Sequence, residues 1–135
     1  MILTIPTTQK RQVVDLTSVL AEHFRGKSGH LNIVVQHSTA AITTADLDPG
    51  TDQDLLDALN GMLPQVQWRH PHNPAHAPDH LLASIVGPQL MIRVKDGSLQ
   101  LGNYQNIVLL EFDGPRDCAI DISFIDSPND HELEL

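Results

Sequence analysis

The sequence has few of the residues that crosslink a chain or bind polyanions. It contains one cysteine, Cys118, so no intramolecular disulfide can form. Aromatic residues make up 4% of the chain, and 8 Lys and Arg stand against 17 Asp and Glu, giving a net charge of −9. General binding to nucleic acid or to an anionic membrane is disfavoured, because both need a positive surface. A local basic spot can still bind a small anion.

Long apolar runs are also missing, and none approaches the length of a membrane span. The first twelve residues, MILTIPTTQKRQ, lack the charged-then-apolar order of a signal peptide. One unpaired cysteine fits a reducing compartment. We therefore expect a soluble cytoplasmic protein. The chain has no GxSxG, P-loop or GxGxxG motif, so the common hydrolase and nucleotide-binding classes lack their signatures.

The length and apolar content predict a single folded domain. With 135 residues, 41% of them hydrophobic, the chain can bury one sizeable core. We find no repeat and no internal linker. The predicted domain spans residues 1–127, and residues 128–135 form an acidic C-terminal tail.

The hydrophobic pattern predicts strands interrupted by helices. Helices are predicted from Thr17 to Phe24, around Leu55, Leu59 and Met62, and from about His80 to Val86. Predicted strands cover residues 2–8, 11–16, 31–37, 89–95, 98–101, 106–112 and 118–125, with Asp96-Gly97 as a hairpin turn. This order predicts an α+β domain with a mixed, mainly antiparallel sheet and a few helices.

A histidine-rich loop, HPHNPAHAPDH, runs from residue 70 to residue 80. Histidine is a common metal ligand, but a solvated loop with incidental histidines explains the composition equally well. The three prolines in the loop are expected to prevent a regular helix there. Two features favour function: His37 ends an apolar strand, and His80 lies at a predicted helix N-terminus, where free N–H groups favour a phosphate and a neutral imidazole.

Two other polar motifs lie at the ends of predicted strands. HSTAAITT at 37–44 supplies four hydroxyl groups, although threonine is also an ordinary strand residue. EFDGPR at 111–116 places Asp113 and Arg116 around a Gly-Pro turn. Asp113 suits orienting a histidine or binding Mg²⁺ through water, and Arg116 suits a fork to phosphate; a plain turn with an Asp–Arg pair is the alternative.

Taken in order, these motifs resemble the YjbQ-like proteins, also called the secondary thiamine-phosphate synthase family. The matching segments are VVQHSTAAITT, DPGTDQDLLDALNGMLP, WRH, AP-DHLLASIVGP and DGSLQLGNYQNIVLLEFDGPR. The resemblance extends from about residue 10 to residue 125. It implies a single α+β domain that assembles as a homotrimer with clefts between subunits.

The resemblance also implies a site. His37, His70 and His80 would form a histidine core that binds a divalent metal ion (Mg or Zn-like) or acts in catalysis with Asp113, while His72 and His76 would be incidental. Phosphorylated substrate would be bound by Thr39, Asp54, Ser84, Gln105, Gly114 and Arg116. The family's named activity joins a pyrimidine pyrophosphate to a thiazole phosphate and releases pyrophosphate.

The sequence departs from the family pattern before the third histidine. A Glu-Gly-Asn element common there is replaced by NPAHAPD, in which Asn73 or Asp79 would substitute. Three functions therefore stay open: an enzyme acting on a phosphorylated small molecule, a metal-dependent hydrolase with a three-histidine site, and a non-catalytic trimer that binds a ligand.

Overall fold

Eight strands form two sheets in the computed structural model, which describes residues 1–127. The larger sheet contains β1 (Ile2–Pro6), β3 (Gly29–Val35), β5 (Gln89–Lys95), β6 (Ser98–Leu99) and β8 (Asp117–Asp126), in the order β1-β8-β3-β5-β6. The smaller sheet contains β2 (Gln12–Asp15), β4 (Ala40–Ala45) and β7 (Asn106–Glu111), in the order β2-β7-β4. Within the described residues, every strand pair is antiparallel.

Three α-helices and one 3₁₀ turn connect the strands. These are α1 (Thr17–His23), α2 (Thr51–Gly61), the 3₁₀ turn Pro74–His76 and α3 (Ala77–Val86). Acidic Asp52 and Asp54 in the first turn of α2 complement its dipole. The 3₁₀ turn is capped by Asn73, whose side-chain oxygen accepts the N–H of Ala75 at 3.0 Å.

Strand β7 divides the core into two layers. Its residues Ile107 and Leu109 pack with Ile33 and Ile120 between the two sheets. Val108 and Leu110 face the opposite way and pack against α2 and α3. Because both faces of β7 are covered, the strand reads as a continuous apolar run. The smaller sheet is thus the middle layer, and α3 lies on its outer side, facing the cleft described below.

The α+β prediction is confirmed, as is the Asp96-Gly97 hairpin, where both residues have positive φ. Most predicted strands begin or end within two residues of the observed ones. Strand β4 was not predicted, because its hydroxyl residues suggested a strand end. Helix α3 begins at Ala77, three residues before the predicted start, because Pro78 lies in the first turn, where proline is tolerated.

The predicted tail at 128–135 lies outside the described residues. Within residues 1–127, the helices are too short and too polar to cross a bilayer.

Candidate functional site

A cleft of 410 Å³ opens where the turn between β3 and β4 meets helix α3. The turn contributes His37 and Ser38, and α3 contributes His80 and Ser84. His80 and Ser84 are four residues apart and so lie on one face of the helix. Two imidazoles and two hydroxyls from distant parts of the sequence therefore share one solvent-accessible space.

The ring of His37 is held by the backbone of β8. Its Nε2 accepts the N–H of Ala119 at 2.9 Å, so in the neutral ring the proton is on Nδ1. Burial lowers the pKa of His37, the positive charge of Arg116 lowers it further, and Glu111 partly opposes this. Protonating Nε2 would also break the bond from Ala119. The structure therefore favours a neutral imidazole whose Nδ1–H can donate a hydrogen bond.

We expect His37 to titrate below the ordinary histidine value of 6.5. Its pKa can be measured by following the ring carbon-bound protons by NMR as the pH is lowered. Because the pKa of His37 is lower in the folded protein than in the unfolded chain, the free energy of unfolding should decrease as the pH falls below 6.5. A midpoint at or above 6.5 would contradict the assigned environment.

The ring of His70 stacks on the ring of His80. Their centroids are 5.0 Å apart and the planes differ by 17°. His72 packs edge-on against His70 with centroids 6.4 Å apart, so this histidine also touches the cluster. The structure thus brings two of the three predicted histidines into direct contact and places the third, His37, across the same cleft from His80.

The described residues do not fit a three-ligand metal site. No group of three His, Cys, Asp or Glu side chains within residues 1–127 is arranged to bind a metal ion. The Nε2 atom of His37 is already bonded to a backbone N–H.

Behind His37, Glu111 forms the centre of a buried hydrogen-bond network. This carboxylate is 0% exposed and accepts bonds from both Nε and Nη2 of Arg116, at 3.1 and 2.8 Å. Thr7 and Cys118 donate to Oε2, the oxygen that also accepts from Nε of Arg116, at 3.0 and 2.9 Å. The fork that we expected Arg116 to offer a phosphate is therefore occupied by Glu111.

Burial alone would raise the pKa of Glu111, but hydrogen bonds from Arg116, Cys118, Thr7 and the Asp113 N–H outweigh it and lower the pKa. The same burial, together with the Glu111 charge, raises the pKa of the Cys118 thiol to about 11. Glu111 is thus ionised and Cys118 is a protonated thiol at neutral pH.

Arg116 also connects this network to the hydroxyl motif. Its Nη2 donates to Oγ1 of buried Thr39 at 2.8 Å. Among residues 1–127, the remaining Nη1 has no hydrogen-bond partner, and about a quarter of the side chain is exposed. Arg116 thus keeps one donor for a ligand, while Thr39 positions the guanidinium.

A second charged network was missed at the sequence level. Asp79 in the first turn of α3 is 0% exposed and pairs with Lys10 at 2.7 Å and with Arg11 at 2.9 Å. Lys10 also pairs with Asp113 at 3.0 Å, which lowers the pKa of that carboxyl. The available signal was a Lys-Arg pair in a predicted turn of an acidic chain. This network holds the start of α3, and with it His80, against the β1–β2 turn.

Only three of the ten predicted site residues, His37, His80 and Ser84, line the cleft. The other seven lie outside its lining: Thr39, Asp54, His70, Gln105, Asp113, Gly114 and Arg116. Asp54 is exposed on α2, and the amide oxygen of Gln105 accepts the Gly102 N–H at 2.6 Å within its own turn. A Cβ at Gly114 would lie 2.1 Å from the carbonyl oxygen of Gln9, so this position needs glycine for close backbone approach. Backbone packing therefore explains the glycine at position 114 without a role in substrate binding.

The phosphate-binding role expected of the α3 N-terminus is weakened by local geometry. The Ala77 N–H donates to the carbonyl of Pro74, and Pro78 has no N–H. The N–H of the N-cap residue His76 also donates to the carbonyl oxygen of Asn73, at 2.9 Å. Three of the four N–H groups that a helix start normally leaves free are thus not available.

The fold and the cleft define a class of small α+β proteins with a polar site of histidines and hydroxyls beside a buried Glu–Arg pair. A family model described as UPF0047 protein YjbQ-like matches residues 1–127, and the chain belongs to this family. It is 36% identical over 124 residues to a UPF0047 protein of Mycobacterium tuberculosis H37Rv, covering 88% of this chain and 92% of the relative. It is 32% identical over 121 residues to YugU of Bacillus subtilis, covering 84% and 89%.

Solved structures agree on the fold. A hypothetical protein from Aeropyrum pernix K1 superposes with a TM-score of 0.85 at 29% identity, covering 94% of this chain and 98% of that one. A YjbQ/UPF0047 protein from Clostridium acetobutylicum superposes with a TM-score of 0.81 at 28% identity, covering 93% and 99%. The family and the α+β architecture are therefore shown by sequence and structure alike.

Proposed function

We propose that this protein is an enzyme that acts on a phosphorylated small molecule in the cleft between His37 and His80. The observation that carries the proposal is that these two histidines, with Ser38 and Ser84, line one cleft of 410 Å³. Cavities of this size accommodate small molecules. The best-named case is the condensation of a pyrimidine pyrophosphate with a thiazole phosphate, as in secondary thiamine-phosphate synthase.

The site supplies the groups that such a reaction needs. A neutral His37, with its pKa lowered by burial and by Arg116, keeps its proton on Nδ1 and is suited to donate a hydrogen bond to a phosphate oxygen. The two serine hydroxyls of the cleft can donate hydrogen bonds to phosphate oxygens. Arg116 lies outside the cleft lining, but its positive charge acts on His37 and favours an anion nearby. In the condensation, the thiazole nitrogen forms a bond to the pyrimidine methylene carbon as the bond to pyrophosphate breaks. Donors to the departing phosphate oxygens stabilise that charge.

The direct test is turnover by purified protein with both thiamine precursors and Mg²⁺, followed by detection of thiamine phosphate and pyrophosphate. We expect His37→Ala and His80→Ala each to lower the rate by about 10²- to 10³-fold, the usual cost of removing one hydrogen-bond donor to a developing charge. His23→Ala, on α1 outside the cleft, is the matched control and should keep full activity. Absence of product from the precursors and from a panel of other phosphate esters, with folded protein, would overturn the proposal.

A homotrimer and a bound divalent ion are part of the same proposal. Leu81 and Ile85 flank Ser84 on α3 and are 36% and 58% exposed, which supports a second copy packing beside the cleft. A neighbouring copy could then supply the ligands that one chain lacks. Native mass spectrometry of protein purified without an affinity tag measures both properties: a trimer with stoichiometric metal is the expected result, and a metal-free monomer would contradict it.

The buried free thiol of Cys118 suits a reducing cytoplasm.

A further inference from the structure

Trp68 lies outside the hydrophobic core. It is the only tryptophan of the chain, and it belongs to neither cluster of core residues found within residues 1–127. The residue is half-buried in the irregular segment between α2 and the 3₁₀ turn. A tryptophan is the largest apolar side chain available for burial, so its position beside open space needs a reason other than core packing.

Two cavities that open to solvent have Trp68 in their lining. One of 540 Å³ is lined by Gln67 and Pro74, among others, and one of 340 Å³ is lined by Arg11 and Asn60. Gln65, Trp68 and Pro78 line both cavities. Both volumes fall in the range of small-molecule sites, about 300 to 1,000 Å³. None of the residues that line the His37–His80 cleft lines either cavity.

Amide groups provide the polar contacts of these cavities. Asn60 and Gln65 line the smaller one, and Gln67 lines the larger one. Each side chain has both a donor and an acceptor, and all three residues are exposed, so their amides can reach a ligand from solvent. Paired donors and acceptors of this kind match the edge of a nucleobase.

The cation in the smaller cavity is already neutralised. Nη2 of Arg11 donates to fully buried Asp79 at 2.9 Å, and its guanidinium lies over the ring of Phe112 at 5.8 Å. The positive charge of Arg11 is therefore paired within the protein. The chain as a whole has a net charge of −9. A phosphate group would find no unpaired cation in this cavity.

We propose that the Trp68 cavities form a binding site for an uncharged planar heteroaromatic ring with adjacent donor and acceptor groups, of which a purine nucleoside is the test case. The ring stacks on the indole, and Asn60 and Gln65 bond its edge. Stacking of a base on an aromatic side chain contributes enough to support binding without a charge partner. The proposal does not depend on the function proposed for the other cleft, because the two sites use different residues.

The single tryptophan allows a direct test. Adenosine added to the full-length protein should give a saturable change in Trp68 fluorescence, with AMP binding no more tightly. By calorimetry, Trp68→Ala should weaken adenosine binding by about 5- to 100-fold and Trp68→Phe by much less, since phenylalanine still stacks. Asn60→Leu should weaken binding at unchanged fluorescence of the free protein, while Gln100→Ala, an exposed amide elsewhere, should not.

Three results would overturn the site. The first is no saturable response to adenosine or guanosine at about 5 mM, a concentration that detects even millimolar affinity. The second is AMP binding more than about tenfold tighter than adenosine, a difference of about 1.4 kcal/mol that the neutralised Arg11 cannot provide. The third is Trp68 emission that changes with protein dilution but not with nucleoside, which would make this surface an interface between copies.

Discussion

Replacing Arg116 with methionine is expected to lower the free energy of unfolding by about 3 to 5 kcal/mol. The change removes two hydrogen bonds to Glu111, which is 0% exposed and cannot turn to solvent. Methionine keeps much of the side-chain volume, so the loss reports the uncompensated carboxylate rather than a cavity. Urea denaturation at neutral pH measures the difference, with the slope of the transition checked for a two-state process.

Two variants separate the buried charge from other effects. Adding Glu111→Gln to Arg116→Met removes the isolated carboxylate and should recover part of the lost stability, because the charge that lacks its partner is then gone. Arg25→Met is the matched control, since its pair with Glu22 is largely exposed; we expect a change of less than about 1 kcal/mol. A double variant less stable than Arg116→Met alone would contradict the buried-charge account.

The pH dependence of the free energy of unfolding provides an independent test of the Glu111–Arg116 pair. In the wild type, the folded-state pKa of Glu111 is lowered from 4.5, so its contribution is complete above 4.5 and is lost as the pH falls through the lower folded value. Without Arg116, burial dominates and the folded-state pKa of Glu111 should rise above its unfolded value. Stability of Arg116→Met should then increase as the pH falls through that raised value, opposite to the wild-type contribution. Parallel stability curves for the two proteins between about pH 4 and 7 would refute this.

Replacing both Lys10 and Arg11 with methionine is the second large destabilisation that we expect, about 3 to 5 kcal/mol in unfolding free energy. Either cation alone can still neutralise Asp79, which is 0% exposed, whereas the double change leaves that carboxylate buried without a counter-charge. The loss should therefore exceed the sum of the two single losses. Urea denaturation of the four proteins in the cycle measures this coupling.

A third substitution tests whether the unpaired carboxylate of Asp79 causes the loss of stability. Asp79→Asn placed on the Lys10→Met/Arg11→Met background should restore part of the stability, because no unpaired charge remains at the start of α3. If the double variant is no less stable than the singles predict, or if Asp79→Asn lowers its stability further, the network does not act through burial of Asp79. NMR of the His80 ring in the same variants reports whether α3 has moved at the cleft.

Local pattern predicted much of the fold. Alternating and continuous apolar runs located β3, β5, β7 and β8, since the two-residue period of a strand decides which side chains reach the core. The Asp96-Gly97 pair fixed the β5–β6 hairpin through its positive φ angles. Strand β4 was missed because threonine and serine fit loops and strands equally well, and the start of α3 was placed late because proline was taken as a helix breaker rather than a first-turn residue.

The candidate site was only partly accessible from the sequence. The residue types of His37, His80 and Ser84 marked them as polar groups at element ends, and their convergence in one cleft follows from α3 packing on the β4 layer. Glu111 and Arg116 were visible as a turn motif, but their mutual engagement was not. The roles of Lys10 and Arg11 were not predicted, because they depend on ion pairs with Asp79 across 69 and 68 residues of chain.

The sequence by itself determined the α+β class, the order of most elements and the residue types available for chemistry, because these depend on periodicity and turn preferences within short windows. Only the tertiary structure decided which charged side chains pair with one another. Arg116 pairs with Glu111, and both Lys10 and Arg11 pair with Asp79. The physical reason is that the strength of an ion pair depends on burial and distance, and both are set by packing between segments far apart in the chain.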